Sequence, residues 1–176
     1  LTIRAQARPD DRDVHGLVAT IRTGSAGERN RAVERLRHLQ SPAARRLLCD
    51  LLADRSPDAR ANAAWALGIL GDRSTTKPLV GALDDPSPPV RRAAAQALGE
   101  LRSALAAEAL GRGLDDPERH VRLAVVRALV RIADARATPP LIKALRAADV
   151  EVRLSAATAL AGRVDRRART ALRDRL

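Results

Sequence analysis

Few side chains of this 176-residue chain could support catalysis or metal binding, and their spacing favours neither. Two acidic pairs, Asp84-Asp85 and Asp115-Asp116, have the composition of a general acid and base. The three histidines and Cys49 lack cysteine or acidic partners at the spacing of metal ligands. No nucleophile stands beside a base in a catalytic motif. The sequence therefore predicts a protein that is not an enzyme and binds no metal or cofactor.

The acidic pairs occupy equivalent places in a repeated sequence, since Asp85 and Asp116 are 116 − 85 = 31 residues apart. Each pair lies in a predicted turn before a helix, where acidic side chains cap the helix and stabilise its positive end. We therefore interpret the pairs as capping residues. Cys49 shares its register with Val80 and Ile142, which predicts a small packing residue.

Arginine recurs with the same period, and we call these five residues the arginine ladder: Arg29, Arg60, Arg91, Arg122 and Arg153. Leucine keeps step at Leu36, Leu67, Leu98, Leu129 and Leu160. A fixed period of this length is typical of a stacked repeat array. Because the same residue appears in every repeat, the ladder is predicted to be structural. We expect its guanidinium groups to bind the acidic turns at Asp54, Asp85 or Asp116.

Each repeat contains two amphipathic segments, so the predicted fold class is an all-α solenoid of helix-turn-helix units. Ser56-Pro57 and Ser87-Pro88 have the sequence of helix starts. The predicted first helices span 26–39, 57–70, 88–101, 118–132 and 150–163, and the second helices 43–53, 75–83, 104–114, 138–146 and 166–175. The predicted organisation is a linker at 1–10, a half repeat at 11–23, and repeats at 24–54, 55–85, 86–116, 117–147 and 148–176.

The core must be built from leucine, alanine and valine, because the chain has no Phe, Tyr or Met and a single tryptophan. Trp65 shares its register with Gln96, Arg127 and Thr158, which predicts an exposed position on the outer face. Two interpretations stay open for its side chain. It anchors a partner on the convex surface, or it lies flat over a neighbouring helix.

The formal net charge of +11 favours an acidic partner or nucleic acid. Nearly all of the positive charge is arginine, since Lys77 and Lys143 are the only lysines. Arginine and alanine usage of this kind is typical of a GC-rich genome, and one cysteine fits a reducing compartment. No apolar run reaches the roughly 20 residues that span a bilayer. We expect a bacterial cytoplasmic protein, with this chain an excised piece of a longer one.

Two segments, VRRAAAQALGEL at 90–101 and ARANAAWALGIL at 59–70, resemble the core of HEAT-like repeats of the phycobilisome-lyase type. The resemblance covers residues 12–176. It implies a right-handed superhelix, with the first helices outside and the second helices lining a concave face. Repeat five departs from the pattern, because Arg163 stands where Leu70 and Leu101 stand in earlier repeats.

The predicted function is non-catalytic binding of a protein or acidic peptide on the concave second-helix face, as a scaffold or a docking domain. Nucleic-acid binding through the basic surface is the alternative, although the chain lacks aromatic residues to stack on bases. A bilin-lyase-like protein or other enzyme accessory subunit is a third interpretation. The predicted partner-binding residues are Arg45, Arg46, Lys77, Arg112, Lys143 and Arg169.

Overall fold

A computed structural model describes residues 9–162 and 166–173. The chain is 81% helical, and none of the described residues lies in a strand, which confirms the all-α prediction. The helices are α1 (Pro9–Thr23), α2 (Ala26–Leu39), α3 (Pro42–Leu51), α4 (Pro57–Leu70), α5 (Thr76–Gly81), α6 (Pro88–Glu100), α7 (Ala107–Arg112), α8 (Arg119–Arg131), α9 (Thr138–Ala144), α10 (Val150–Ala161) and α11 (Arg166–Arg173).

The first helices of the five repeats are the even-numbered helices α2 to α10, and the second helices are the odd-numbered α3 to α11. Helices α2 and α4 have the predicted bounds, because their starts are encoded locally. Ser25 accepts the backbone N–H of Glu28, whose carboxylate accepts the backbone N–H of Ser25 in return. Ser56 caps α4 by accepting the N–H of Ala59, and Pro57 opens that helix.

The second helices are less continuous than predicted. Helix α5 lies between two 3-10 turns at 73–75 and 82–84, and α7 between turns at 104–106 and 113–115. Asp72 explains the first of these turns, because its carboxylate accepts the N–H of Ser74 and its carbonyl that of Thr75. Those bonds close a tight turn before the α-helix begins. In α3 the proline at the first position starts the α-helix directly.

The predicted boundary at the amino-terminal end needs a correction. The linker was predicted to reach residue 10, but α1 begins at Pro9. Residues 1–8 lie outside the described residues. Arg163, the residue that departs from the repeat pattern, also lies outside them. Among the described residues, no helix is both long and apolar enough to cross a membrane.

The core follows the leucine register through the whole array. Leu67, Leu98, Leu129 and Leu160 are fully buried on four successive first helices. Successive first helices α4, α6 and α8 approach closely at two glycines. A Cβ added to Gly68 would lie 2.8 Å from the Cα of Ala97, and one added to Gly99 would lie 2.9 Å from that of Ala128. The close approach of α4, α6 and α8 therefore depends on glycine at these two positions.

Candidate interaction surface

Three members of the arginine ladder each join a carboxylate to two backbone carbonyls, in three successive repeats. The Nε and Nη2 atoms of Arg60 bind the two carboxylate oxygens of Asp85 at 2.7 and 2.8 Å. Its Nη1 donates to the carbonyls of Asp54 and Arg55 at 2.9 and 3.3 Å. A planar guanidinium can satisfy a carboxylate and two carbonyls at once, which lysine cannot. Arg60 thus joins the turns at both ends of its repeat.

Arg91 binds Asp116 in the same two-pronged way, at 2.7 and 3.0 Å. Arg122 binds Asp149 at 2.6 Å through Nε and also donates to two backbone carbonyls. The side chains of Arg60, Arg91 and Arg122 are only 13%, 12% and 20% exposed. These three guanidinium groups are therefore engaged inside the array.

The acidic partners carry a second set of bonds. Asp85 accepts the backbone N–H of Ser87 at 2.8 Å, and Asp116 accepts that of Glu118 at 2.9 Å. The hydrogen bond from Arg60 holds the pKa of Asp85 below its ordinary value. The other members of the acidic pairs are exposed, and Asp115 forms an ion pair with Lys143. The inner carboxylate of each pair, Asp85 or Asp116, therefore binds a ladder arginine and a backbone N–H, as its predicted capping role requires.

The ladder changes at both ends of the array. Arg29 donates to the carbonyl of Gly24 at 2.7 Å, while Asp54 is bound instead by Arg22 of α1 at 2.8 Å. Arg153 donates to the carbonyls of Ala147 and Ala148, and has no carboxylate partner among the described residues. Arg22 lies outside the ladder register, so the repeat pattern did not predict that it would take the place of Arg29 at Asp54.

Three of the predicted partner-binding residues are exposed cations on successive second helices. Arg46 on α3, Lys77 on α5 and Arg112 on α7 have no ion-pair partner within the described part of the chain. Lys143 on α9 is exposed but paired with Asp115. Arg169 is exposed on α11. We call Arg46, Lys77, Arg112 and Lys143, with the exposed residues between them, the second-helix face.

Arg45 differs from this group. It is half-buried and forms an ion pair with Asp72, which links repeat one to repeat two. Three acids, Asp50, Asp84 and Glu108, are also exposed on this side of the array. Asp50 shares the register of Arg112 and Lys143, and Glu108 that of Arg46 and Lys77, so the sequence pattern already indicated a surface of mixed charge. The face is therefore mixed in charge, with a cationic excess.

Trp65 needs a correction. The same register is exposed in the other repeats, at Glu34, Gln96, Arg127 and Thr158. Trp65 itself is half-buried and packs against the core. Of the two interpretations left open, this geometry corresponds to a ring that lies against neighbouring residues. A role as a convex anchor stays a prediction.

Cys49 is half-buried against the core, and burial raises the pKa of its thiol. A raised pKa leaves little thiolate, the nucleophilic form, at neutral pH. The part of the chain that the structure describes holds no group of three His, Cys, Asp or Glu side chains arranged to bind a metal ion.

Comparisons with solved structures agree with this architecture. The complex of CpcE and CpcF of phycocyanin lyase from Nostoc sp. PCC7120 is 28% identical over 90% of this chain and 74% of that chain, with a TM-score of 0.64. Human deoxyhypusine hydroxylase is 24% identical over 93% of this chain and 67% of that chain, with a TM-score of 0.59. A designed armadillo repeat protein in complex with the peptide (KR)4 is 22% identical over 92% and 87% of the two chains, with a TM-score of 0.59.

No match was found among curated proteins by sequence. The model of HEAT repeats matches residues 14–99 and 76–161 of this chain. Together these two matches extend over most of the sequence and over the stacked helix pairs described above. The chain therefore belongs to the HEAT-repeat family.

Proposed function

We propose that this protein is a non-catalytic scaffold that binds an acidic segment of a partner protein on its second-helix face. One observation carries the proposal. Each of three successive repeats presents one exposed cation that has no ion-pair partner in the described part of the chain: Arg46, Lys77 and Arg112. A solenoid presents such residues along one continuous surface, where they can contact an extended partner together.

The spacing indicates what the partner offers. Packed helices lie roughly 10 Å apart, and an extended chain advances about 3.3 Å per residue. Arg46 and Lys77 share a register (77 − 46 = 31), so acidic side chains about three residues apart in an extended segment would meet both. On α7 that register holds Glu108, and Arg112 lies four residues later, so the segment would cross the face at an angle to reach it.

Nucleic-acid binding is less well supported. The +11 charge favours it, but three ladder arginines are engaged within the array. Asp50, Asp84 and Glu108 interrupt the second-helix face and would repel a continuous line of phosphates. A nucleic acid would have to place phosphates beside these acids, and the repulsion would weaken its binding. An acidic peptide carries its charges at intervals, so it avoids this repulsion.

Fluorescence anisotropy with three labelled probes tests the proposal: oligoglutamate, oligolysine and random duplex DNA. We expect saturable binding of oligoglutamate, lost in a Lys77→Glu/Arg112→Glu variant. A matched double reversal, Arg31→Glu/Arg92→Glu, changes the net charge equally at exposed first-helix positions and should keep binding. Tight duplex binding at physiological salt that disappears in Lys77→Glu/Arg112→Glu would instead favour nucleic acid.

The similarity to a phycocyanin lyase complex favours one further candidate, an accessory subunit of a bilin-attaching enzyme. This candidate makes a different prediction, because a bound bilin changes its absorption spectrum. Adding free bilin to the purified chain should shift that spectrum if the candidate is right. An unchanged spectrum, with oligoglutamate still bound, would leave the scaffold proposal in place.

A further inference from the structure

Leu105 is the most exposed large apolar side chain in the described part of the chain. It is 77% exposed and lies in the 3-10 turn at 104–106, which opens the second helix of repeat three. That turn contacts α5 of repeat two and the 3-10 turn at 135–137 of repeat four. Neighbouring repeats are therefore present on both sides of Leu105, and they leave its side chain uncovered.

The position of Leu105 belongs to the second-helix face. The exposed residues Glu108 and Arg112 follow it at spacings of three and four residues, which place all three on one side of the helix. The equivalent positions in the adjacent repeats, Ser74 and Arg136, are also exposed (105 − 74 = 31; 136 − 105 = 31). Of these three repeats, repeat three alone places a large apolar group at this position.

Four cations lie around this leucine. The Nε of Arg73 donates to the carbonyl of Leu101 at 3.2 Å, so its exposed guanidinium lies at the turn between the two helices of repeat three. Arg102 is exposed in that same turn, and Lys77 is exposed on α5. Arg136 belongs to the turn of repeat four that the leucine's own turn contacts. The apolar side chain is therefore surrounded by long basic side chains from three repeats.

The acids nearby leave these surroundings positive. Asp134 pairs with Arg136 at 3.7 Å, and Asp72 pairs with Arg45. Glu108 is exposed one turn after the leucine. Three of the four cations have no carboxylate partner in the structure as described, against one such acid. A partner that fits here offers an apolar group with carboxylates beside it.

We propose that Leu105 and the cations around it bind one large apolar side chain of the partner's acidic segment, with acidic residues on both sides of that side chain. This inference rests on the proposed function and adds the apolar residue that the segment must carry. Contact with Leu105 removes apolar area from water, while the flanking carboxylates meet Arg73, Lys77 or Arg102. The segment recognised is thus a leucine or phenylalanine within an acidic run.

An anionic membrane surface matches these residues less well. Peripheral membrane binding buries the apolar face of a whole helix, whereas Leu105 is a single apolar side chain whose neighbours on α7 are Glu108 and Arg112. The carboxylate of Glu108 would be pressed against anionic headgroups. A peptide can instead place its apolar residue at Leu105 and its carboxylates on the other side, towards the cations.

Two labelled heptapeptides of equal charge test the apolar residue: six glutamates around a central leucine, and six glutamates around a central serine. In fluorescence anisotropy with the full chain, we expect the leucine peptide to bind roughly tenfold more tightly, because two apolar side chains become partly buried. Leu105→Ser introduces the residue that Ser74 already places at this register, and it should abolish the difference. Leu154→Ser, at a first-helix position 65% exposed, is the matched control and should keep the difference.

Arg102→Gly tests the charge beside the leucine without disturbing the fold. Arg102 has a φ of 47°, and Gly71 holds the same register in repeat two with a φ of 73°, so glycine suits this backbone. The variant should weaken binding of the leucine peptide several-fold, because a cation beside the flanking carboxylates is removed. Arg92→Ala, which removes an exposed cation of a first helix, is the control and should leave binding unchanged.

The outcomes separate this inference from the proposed function. Equal binding of the two peptides to the unaltered chain would overturn the inference and leave the acidic-segment proposal standing, whereas binding of neither peptide would overturn both. The inference also fails if six lysines around a central leucine bind as tightly as the glutamate version, because apolar contact alone would then suffice. It fails as well if vesicles of anionic phospholipid bind the chain and Leu105→Ser abolishes that binding, which would make a membrane the occupant.

Discussion

The central repeats and the terminal repeats are built from the same helix pair, yet they stack differently. Helix α4 packs extensively along α6, and α6 along α8, whereas α2–α4 and α8–α10 contacts are much sparser. The tight pairs have Gly68 and Gly99 at the closest approach. One repeat before and after these glycines stand Arg37 and Val130. A single register thus decides how closely neighbouring repeats approach, because only glycine leaves room for a facing backbone.

The arginine ladder follows the same division. Arg60, Arg91 and Arg122 in the middle bind a carboxylate and backbone carbonyls, whereas Arg29 and Arg153 bind backbone carbonyls alone in the described structure. At the amino-terminal end, α1 contacts α4 directly and its Arg22 binds Asp54. The amino-terminal end is therefore held by contacts of α1 that do not repeat, whereas Arg153 keeps the backbone contacts of the central arginines and lacks only a carboxylate partner among the described residues.

The largest expected effect comes from truncating the buried leucines. Leu98→Ala should cost about 2–5 kcal/mol of unfolding free energy, the range for a buried leucine that leaves a cavity. Leu160→Ala should cost less, although Leu160 is equally buried, because a terminal repeat has fewer neighbours. Urea denaturation of both variants measures the difference. Equal losses would show that the terminal repeat is as tightly coupled as the centre.

Removing a central ladder arginine should have the next largest effect. Arg91→Ala leaves Asp116, whose side chain is 7% exposed, without its charged donor. We expect a loss of about 2–3 kcal/mol, in the range for hydrogen bonds to charged groups. Arg153→Ala is the matched control and should cost clearly less, because it removes bonds to carbonyls alone. Thermal unfolding of both variants gives the comparison, and a larger loss for Arg153→Ala would contradict it.

The glycine register can be tested by adding one methyl group. Gly99→Ala should destabilise by about 1–3 kcal/mol through overpacking, since the new Cβ would lie 2.9 Å from the Cα of Ala128. Gly16→Ala on α1 is the control, because a Cβ there meets nothing within 4 Å. That control should stabilise by about 0.5–1 kcal/mol through helix propensity. If both variants are stabilised, close approach at Gly99 is not a constraint.

The smallest expected effect is a change in acid sensitivity. The pKa of Asp85 is lowered in the folded state, chiefly by the hydrogen bond from Arg60. This group therefore stabilises the fold above its unfolded pKa of about 4, and the contribution is lost as the pH falls through the lower folded pKa. Asp85→Asn should reduce the loss of stability on acidification below about pH 5. The dependence of the unfolding free energy on pH should not vanish, since Asp54, Asp72 and Asp149 also have lowered pKa values.

Much of the candidate site was accessible from sequence because it is periodic. The register alone placed Arg46, Lys77 and Arg112 on exposed positions, and it indicated that Asp85 and Asp116 would meet the ladder. Exposure and pairing of individual residues were harder to predict. Arg45 is half-buried on Asp72 and Trp65 lies against the core, because each depends on a neighbour particular to its own repeat.

By itself, the sequence determined the repeat length, the helix pairs and the residues that recur at each interface. These properties follow from local helix signals and from a 31-residue period that can be read directly. Only the tertiary structure decided that Arg22 replaces Arg29 at Asp54 and that Leu154 is exposed while Leu123 is buried. The physical reason is that a residue's surroundings depend on the repeats on either side. Those surroundings differ between the described repeats although the sequence pattern continues.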